Sequence, residues 1–333
     1  MARLKKKMNN SMKFLVDTTY NGERLDVFLS EKINNFSRSY LKKIIEKDLV
    51  KVNNLVANSP SKNIKTNDTI EVLDFENKTD KLIPKKIKLD VIFEDKDILV
   101  IDKPKGMVVH PGAGNLNNTL ANALSYKYRD KLSNINGNLR PGIVHRIDKE
   151  TSGLLVIAKN NKSHFKLSKQ FSDHSIVRKY QCLIWGILRP LNGRIETLIS
   201  RSKKNRKLMS VSENAGKKAI TNYKTTKIFA LKNIPKISLI ECNLETGRTH
   251  QIRVHLSYKG SSIIGDKQYG KKNMKFKKID EKFFDQLSNI DGQILHAGTL
   301  EFTHPSTNKK VSFQSKIPSD FKKLLEILNN LSG

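Results

Sequence analysis

Residues 76–86 constrain this 333-residue chain most, because the rhythm of its apolar positions changes across them. Before that stretch the spacing is helical, with Leu25, Phe28, Leu29 and Ile33 on one face, then Leu41, Ile44 and Ile45 on another. Asn21 and Ser37 stand where helix caps are expected. Leu49–Val52, the turn-forming pair Asn53-Asn54 and Thr69–Leu73 read as a hairpin strand, its turn and a further strand. Residues 76–86 themselves are polar and non-periodic, the pattern of a linker. Beyond them strand-like runs fall at 91–94, 98–102, 154–158, 180–185 and 239–244, with helices expected at 249–258 and 320–331. Such strands, without a regular alternation of strand and helix, predict an α+β domain with a mixed, mostly antiparallel sheet. The expected organisation is a basic disordered arm at 1–13, a small α/β domain at 14–75, a linker at 76–86 and a large domain at 87–333.

Charge narrows the partners. Lys and Arg number 62 against 32 Asp and Glu, a formal net charge of +30. A surplus of that size attracts polyanions and makes binding to nucleic acid strong and salt-sensitive. Basic runs at 201–207 and 271–282, and Arg38, Lys42 and Lys43 on the second helix, are candidate phosphate contacts. The two cysteines, Cys182 and Cys242, form no C-x-x-C pair, which argues against a disulfide framework or a structural zinc site. No signal peptide follows the basic N-terminus, and no apolar run is long enough to span a bilayer. A cytoplasmic protein without membrane contact is expected.

Two nucleotide-binding patterns fail on inspection. Gly265–Lys271 has P-loop spacing, but Lys272 stands where the magnesium-binding hydroxyl belongs. Gly112-Ala113-Gly114 lacks the third glycine of a dinucleotide fingerprint, since Asn117 replaces it. No nucleotide cofactor is implied. The chemistry concentrates instead in Gly142–Lys159, where a charged turn separates two strand-like segments, and in Leu244–Leu256, where Arg248, His250, Arg253 and His255 surround the start of a helix. Backbone N–H groups at a helix start favour anions.

These segments resemble the RluA family of large-subunit ribosomal RNA pseudouridine synthases, and its RluD-type group in particular. The resemblance runs from about residue 14 to the end and includes an S4-like RNA-binding module. It is carried by Lys103–Gly114, His145-Arg146-Ile147-Asp148-Lys149, Arg178-Lys179-Tyr180, Glu245–His255, His296-Ala297 and His304-Pro305. Ile147 and Glu150 replace the commoner Leu and Asp, and the Lys-rich stretch 271–282 is unusually long.

The resemblance implies conversion of uridine to pseudouridine: the N1–C1′ bond breaks, the base turns, and C5 takes its place. Nothing external is consumed, so neither metal nor cofactor is expected. Asp148 corresponds to the nucleophile, whose covalent attack divides one hard displacement into two easier ones. Attack at C1′, attack at C6 and elimination to a glycal all remain open. A nucleophilic carboxylate must stay ionised in a partly dry pocket, which a nearby guanidinium favours; Arg253 matches that role. Tyr180 matches the tyrosine that stacks on uracil and assists a late proton transfer. Arg146 matches the residue filling the gap left by a flipped nucleotide. Arg248 and His250 are expected to contact RNA. His145, His250 and His255 do not make a zinc set, because they lie in distant segments without a matching carboxylate pattern.

The expected partner is large-subunit ribosomal RNA or a pre-ribosomal particle, engaged by a monomer. Two alternatives stand beside this reading: a synthase acting on transfer RNA, and a non-catalytic ribosome-assembly factor on the same scaffold.

Overall fold

The computed structural model describes residues 11–33, 38–73, 82–112, 114–230, 235–270 and 281–332, without the side chains of residues 38–40 and 43. Ser37, Ala113, the start of the linker and most of the Lys-rich stretch lie outside the described residues. The chain divides into two compact units, Met1–Lys81 and Leu82–Gly333. Among the described residues, no helix is long and apolar enough to cross a membrane.

In the small unit β1 (Met12–Leu15) leads through a 3-10 turn to α1 (Leu25–Lys32) and α2 (Arg38–Ile45). β2 (Val50–Val52), β3 (Leu55–Val56) and β4 (Thr69–Val72) follow, and the sheet order is β1-β4-β2-β3, antiparallel throughout. Asn53 and Asn54 both take positive φ, 52° and 67°. That geometry suits the right-handed twist of a two-residue hairpin and favours asparagine. Leu25, Phe28, Leu29, Leu41, Ile44, Ile45, Ile64 and Ile70 form the core.

Two expectations need correction here. The arm does not extend to residue 13, because Met12 and Lys13 already pair with Val72 and Glu71. The lysine hides a strand whose Met12 and Phe14 pack on the core. Asn21 does not cap α1 either. The cap position belongs to Arg24, while Asn21 closes the preceding 3-10 turn through its own N–H.

The large unit is built on a ten-stranded sheet. In chain order its elements are β5 (Asp90–Glu94), β6 (Ile98–Lys103), α3 (Leu120–Tyr128), β7 (Ser152–Ala158), α4 (Asn161–Ser172), β8 (Val177–Trp185), β9 (Asn192–Arg201) and β10 (Met209–Ser212). Then come β11 (Lys217–Phe229), β12 (Ile237–Leu244), α5 (Gln251–Tyr258), α6 (Glu281–Ser288), β13 (Leu295–Thr303), β14 (Lys310–Gln314) and α7 (Ser319–Leu331). The strand order is β10-β9-β11-β12-β8-β13-β7-β6-β5, with β14 also on β13. All pairs are antiparallel except β13 with β7, which run parallel at His296–Ser152 and Ala297–Gly153. The sheet is therefore mixed and mostly antiparallel, and the fold is α+β.

β7 is buried along its whole length, so it reads as a continuous apolar run instead of an alternating one. Leu155 and Ile157 pack on one side with Tyr180, Cys182, Ile240 and Ile252, while Leu154, Val156 and Ala158 pack on the other with Leu167 and Phe302. Gly153 carries φ +116°, and a Cβ there would overlap the backbone of Ala297. Only glycine tolerates both the angle and the approach, and this contact seats β7 directly after the Asp148 turn.

Candidate active site

Asp148 sits in a turn that is fastened from beneath before its carboxylate is used. Thr151 N–H donates to the Asp148 carbonyl at 3.2 Å, and Gly106 N–H to the Lys149 carbonyl at 2.9 Å. The Lys103 ammonium donates to the carbonyls of Lys149, at 3.1 Å, and Pro104, at 2.8 Å. Gln293 holds the Thr151 hydroxyl at 3.0 Å, and Ser152 donates to His296 Nδ1 at 2.9 Å. Lys103 is only 1% exposed. Burial pulls its pKa down to about 7, against the opposing charges of Glu150, Asp148 and Asp102.

The side chain of Asp148 projects into a cavity of about 420 Å³, lined also by Arg146, Arg178, Tyr180, Arg248, His250 and Arg253. Asp148 Oδ2 accepts from Arg253 Nη1 at 3.0 Å, and Oδ1 lies 3.9 Å from His250 Nε2. Arg253, on the first turn of α5, is itself immobilised. Asp266 accepts from its Nε at 2.7 Å and its Nη2 at 2.9 Å, and Gln268 Oε1 accepts from Nη2 at 2.8 Å. Tyr269 presents its ring 4.9 Å from the guanidinium carbon. Burial works against the charge on Arg253, but the bonds and charge of Asp266, then of Asp148, outweigh it and raise its pKa.

Tyr180 comes from the inward face of β8 and is 7% exposed. Burial pushes its phenol pKa up, so the group stays protonated at neutral pH. His145 accepts the Val156 N–H on Nε2 at 3.0 Å, which assigns the ring proton to Nδ1. Burial drives its pKa down to about 3, and the ring stays neutral. Arg146 is exposed at the cavity and donates to His110 Nε2 at 3.3 Å.

The helix expected from Thr249 begins two residues later. His250 occupies the cap position at φ 56°, and the Gln251 side chain closes the loop by accepting from Arg248 N–H and the Thr246 hydroxyl. The amide at Arg248 is therefore already satisfied. Arg248 also joins Arg201, Lys207 and Lys217 around an adjoining cavity of about 350 Å³. Asp148, His250 and Arg253 face a third cavity, about 750 Å³, with Lys105, Lys149 and Lys267 on its walls.

The structure thus brings Asp148, Tyr180, Arg253, Arg146, Arg248 and His250 to one cavity. Lys42 is elsewhere, in the small unit, and lies 3.7 Å from the buried Asp26 carboxylate. The side chains of Arg38 and Lys43 are outside the description. Sequence reading gave no role to Lys103, Asp266, Gln268 or Tyr269. Asp266 and Gln268 lie inside the stretch dismissed as a P-loop, where an Asp-x-Gln-Tyr following a helical Arg was the available signal.

One cluster outside this site groups Asp95, Asp97 and His304 at metal-ligand separations. Its imidazole does not suit a cation. Nδ1 accepts N–H groups from Ser306 and Thr307, so Nε2 carries the proton that it gives to Asp95 at 2.8 Å.

A carboxylate held by a fixed guanidinium, a buried phenol beside it and cationic walls together suit attack on a substrate that carries anionic groups. Comparison with known proteins identifies that substrate's class. Residues 97–258 match the family described as RNA pseudouridylate synthase, and residues 23–70 match the S4 domain. A Zymomonas mobilis protein named ribosomal large subunit pseudouridine synthase D is 44% identical over 310 residues, covering 92% of this chain and 94% of the relative. A Bacillus subtilis protein named uncharacterized RNA pseudouridine synthase YlyB is 40% identical over 306 residues, again covering 92% and 94%. The solved structure of human RNA pseudouridylate synthase domain containing 4 aligns at a TM-score of 0.53 and 25% identity, covering 72% of this chain and 93% of that one. The protein is an isomerase that forms pseudouridine in RNA. It belongs to the RluA family of RNA pseudouridine synthases, in the RluD-type group, and carries an S4 domain.

Proposed function

We propose that this enzyme isomerises uridines of large-subunit (23S) ribosomal RNA, with Asp148 as nucleophile on a nucleotide flipped into the cavity. The contact between Asp148 and Arg253 at 3.0 Å carries the reading of the site. It holds a carboxylate oxygen at the cavity wall while leaving the side chain 17% exposed to an incoming sugar or base. Similarity to a relative named for the large ribosomal subunit supports the choice of RNA.

On this reading Arg146, at the cavity rim, occupies the place vacated by the flipped nucleotide, for which unstacking costs a few kcal/mol. Tyr180 stacks on the uracil, and its protonated phenol is available when a proton must move between C5 and N1. The reaction balances internally, since N1–C1′ breaks, C5–C1′ forms, C5 loses a proton and N1 gains one. Arg248, with Arg201, Lys207 and Lys217 beyond it, guides the flanking strand, and the S4 module at 14–75 adds affinity for RNA. The cytoplasm is its place of action.

The deciding measurement compares wild type with Asp148→Asn on uridine-labelled large-subunit RNA, naked and within immature particles. Wild type should form pseudouridine at discrete positions, and the variant should bind RNA and form none. Full activity in the variant would remove Asp148 from the mechanism. Modification of transfer RNA alone by wild type would refute the ribosomal target.

A further inference from the structure

The same cavity contains a second buried guanidinium, which the described residues leave without a counter-charge. Arg178 is 7% exposed, yet no carboxylate among the described residues pairs with it. Its Nη2 reaches only the carbonyls of Leu244 at 3.5 Å and Glu245 at 3.4 Å. Its Nε is buried with no hydrogen-bond partner among the described residues. An uncompensated buried charge is strongly disfavoured unless something else supplies the opposite sign. Arg253 has that supply within the chain; among the described residues Arg178 does not.

The surroundings maintain this arrangement. A Cβ at Gly247 would stand 2.6 Å from Arg178 Nη1, so the glycine of the Thr246-Gly247-Arg248 turn reserves room for the guanidinium. Phe171 lies under it, 5.5 Å from ring centroid to guanidinium carbon, and His145 stacks on the same ring at 4.4 Å. Arg178 and Tyr180 are both buried on the inward face of β8. Two residues along a strand separate them by about 7 Å, a distance one nucleotide bridges between its base and a neighbouring phosphate. Arg146 and Arg248 line the same cavity and reinforce its positive potential.

We propose that Arg178 is the seat of a backbone phosphate of the RNA, adjacent to the nucleotide lodged between Tyr180 and Asp148. The phosphate supplies the missing charge and takes the unused donors of the guanidinium fork, a geometry that arginine matches well. This inference rests on the reading that the target nucleotide enters this cavity. It is tested by binding, so its failure is distinguishable from a failure of Asp148 chemistry.

The experiment uses the full chain and a short oligouridylate, either unmodified or carrying one uncharged methylphosphonate linkage at successive positions, with inorganic phosphate as competing free anion. Arg178→Met should bind the unmodified strand about ten- to a hundredfold more weakly. Its plot of log K against log salt should be shallower by about 0.7, one phosphate contact on a single strand. One neutralised linkage should weaken wild type and leave Arg178→Met unaffected. Arg178→Lys should recover the salt slope while remaining weaker than wild type. An unchanged slope in Arg178→Met overturns the proposal and leaves Arg178 as a bracket for the 244–245 carbonyls. Potent displacement by inorganic phosphate, with no sensitive linkage, also overturns it in favour of a free-anion pocket. Should Arg178→Met fail to fold, the linkage scan on wild type decides alone: one sensitive position supports the seat, and tolerance of every position refutes it.

Discussion

Arg253 and Arg178 are both buried, both line the cavity that contains Asp148, and both rest near an aromatic ring. Their hydrogen bonding differs completely. Four side-chain oxygens, from Asp266, Gln268 and Asp148, surround the first. The second has two long contacts to backbone carbonyls and a nitrogen with no partner. A saturated guanidinium positions what it already holds, whereas an unsaturated one keeps its capacity for something that arrives. On the proposed reading the first belongs to the scaffold of the reaction and the second to recognition.

Substitutions can break this distinction. Arg253→Met should give the largest effect, because Asp266, whose side chain is fully buried, loses its bidentate partner. Leaving a buried charge unpaired costs about 3–5 kcal/mol, to be read from urea denaturation alongside lost pseudouridine formation. A loss below about 1 kcal/mol would show that Arg253 is not the keystone of the 263–270 turn.

Lys103, the third buried cation near Asp148, offers a pH-dependent version of the same test. Its folded pKa of about 7 lies below its ordinary value of 10.5, so between those pH values the unfolded chain holds the proton more tightly. Stability of wild type relative to Lys103→Met should therefore rise with pH across that window, by on the order of 2 kcal/mol between pH 7 and 9. Parallel thermal melts of the two proteins would check it. A difference independent of pH would mean that Lys103 is not desolvated as its burial indicates.

Asp148→Ala separates stability from chemistry. Arg253 retains Asp266 and Gln268, so the denaturation midpoint should change by less than about 1 kcal/mol equivalent while pseudouridine formation disappears. Arg178→Met should disturb folding least: stability stays level or rises by about 1 kcal/mol, since an unpaired buried charge is removed. A marked fall would place Arg178 with Arg253, as a structural residue.

Asp148 and Arg253 stood out because each lies in a densely charged segment, but their roles, and Tyr180 altogether, came from the resemblance of those motifs to a family; the structure brings the three to one cavity. Asp266 was not, since the partner of a guanidinium is chosen by where a turn lies in three dimensions and Gly265–Lys271 resembled a failed phosphate loop. Strand boundaries followed the same logic. β7 and β12 are apolar enough to announce themselves. β9 buries only Ile195 and Ile199 along ten residues, so period-two alternation was absent and the pairing of β9 with β11 went unread. β13 was hidden differently: polar His296 and Thr299 interrupt its apolar positions, and His296 is spent on a hydrogen bond to Ser152 beneath the catalytic turn.

β13 lies between β8 and β7, although it comes more than a hundred residues after them in the chain. During synthesis, at about 5–20 residues per second, the two halves of the sheet emerge long before the strand that joins them. A nascent chain therefore carries two open edges and an unsupported Asp148 turn until β13 has been translated. Pairings between such distant segments form slowly. Competence for catalysis arrives late and all at once, and a chain truncated before Leu295 should never acquire it.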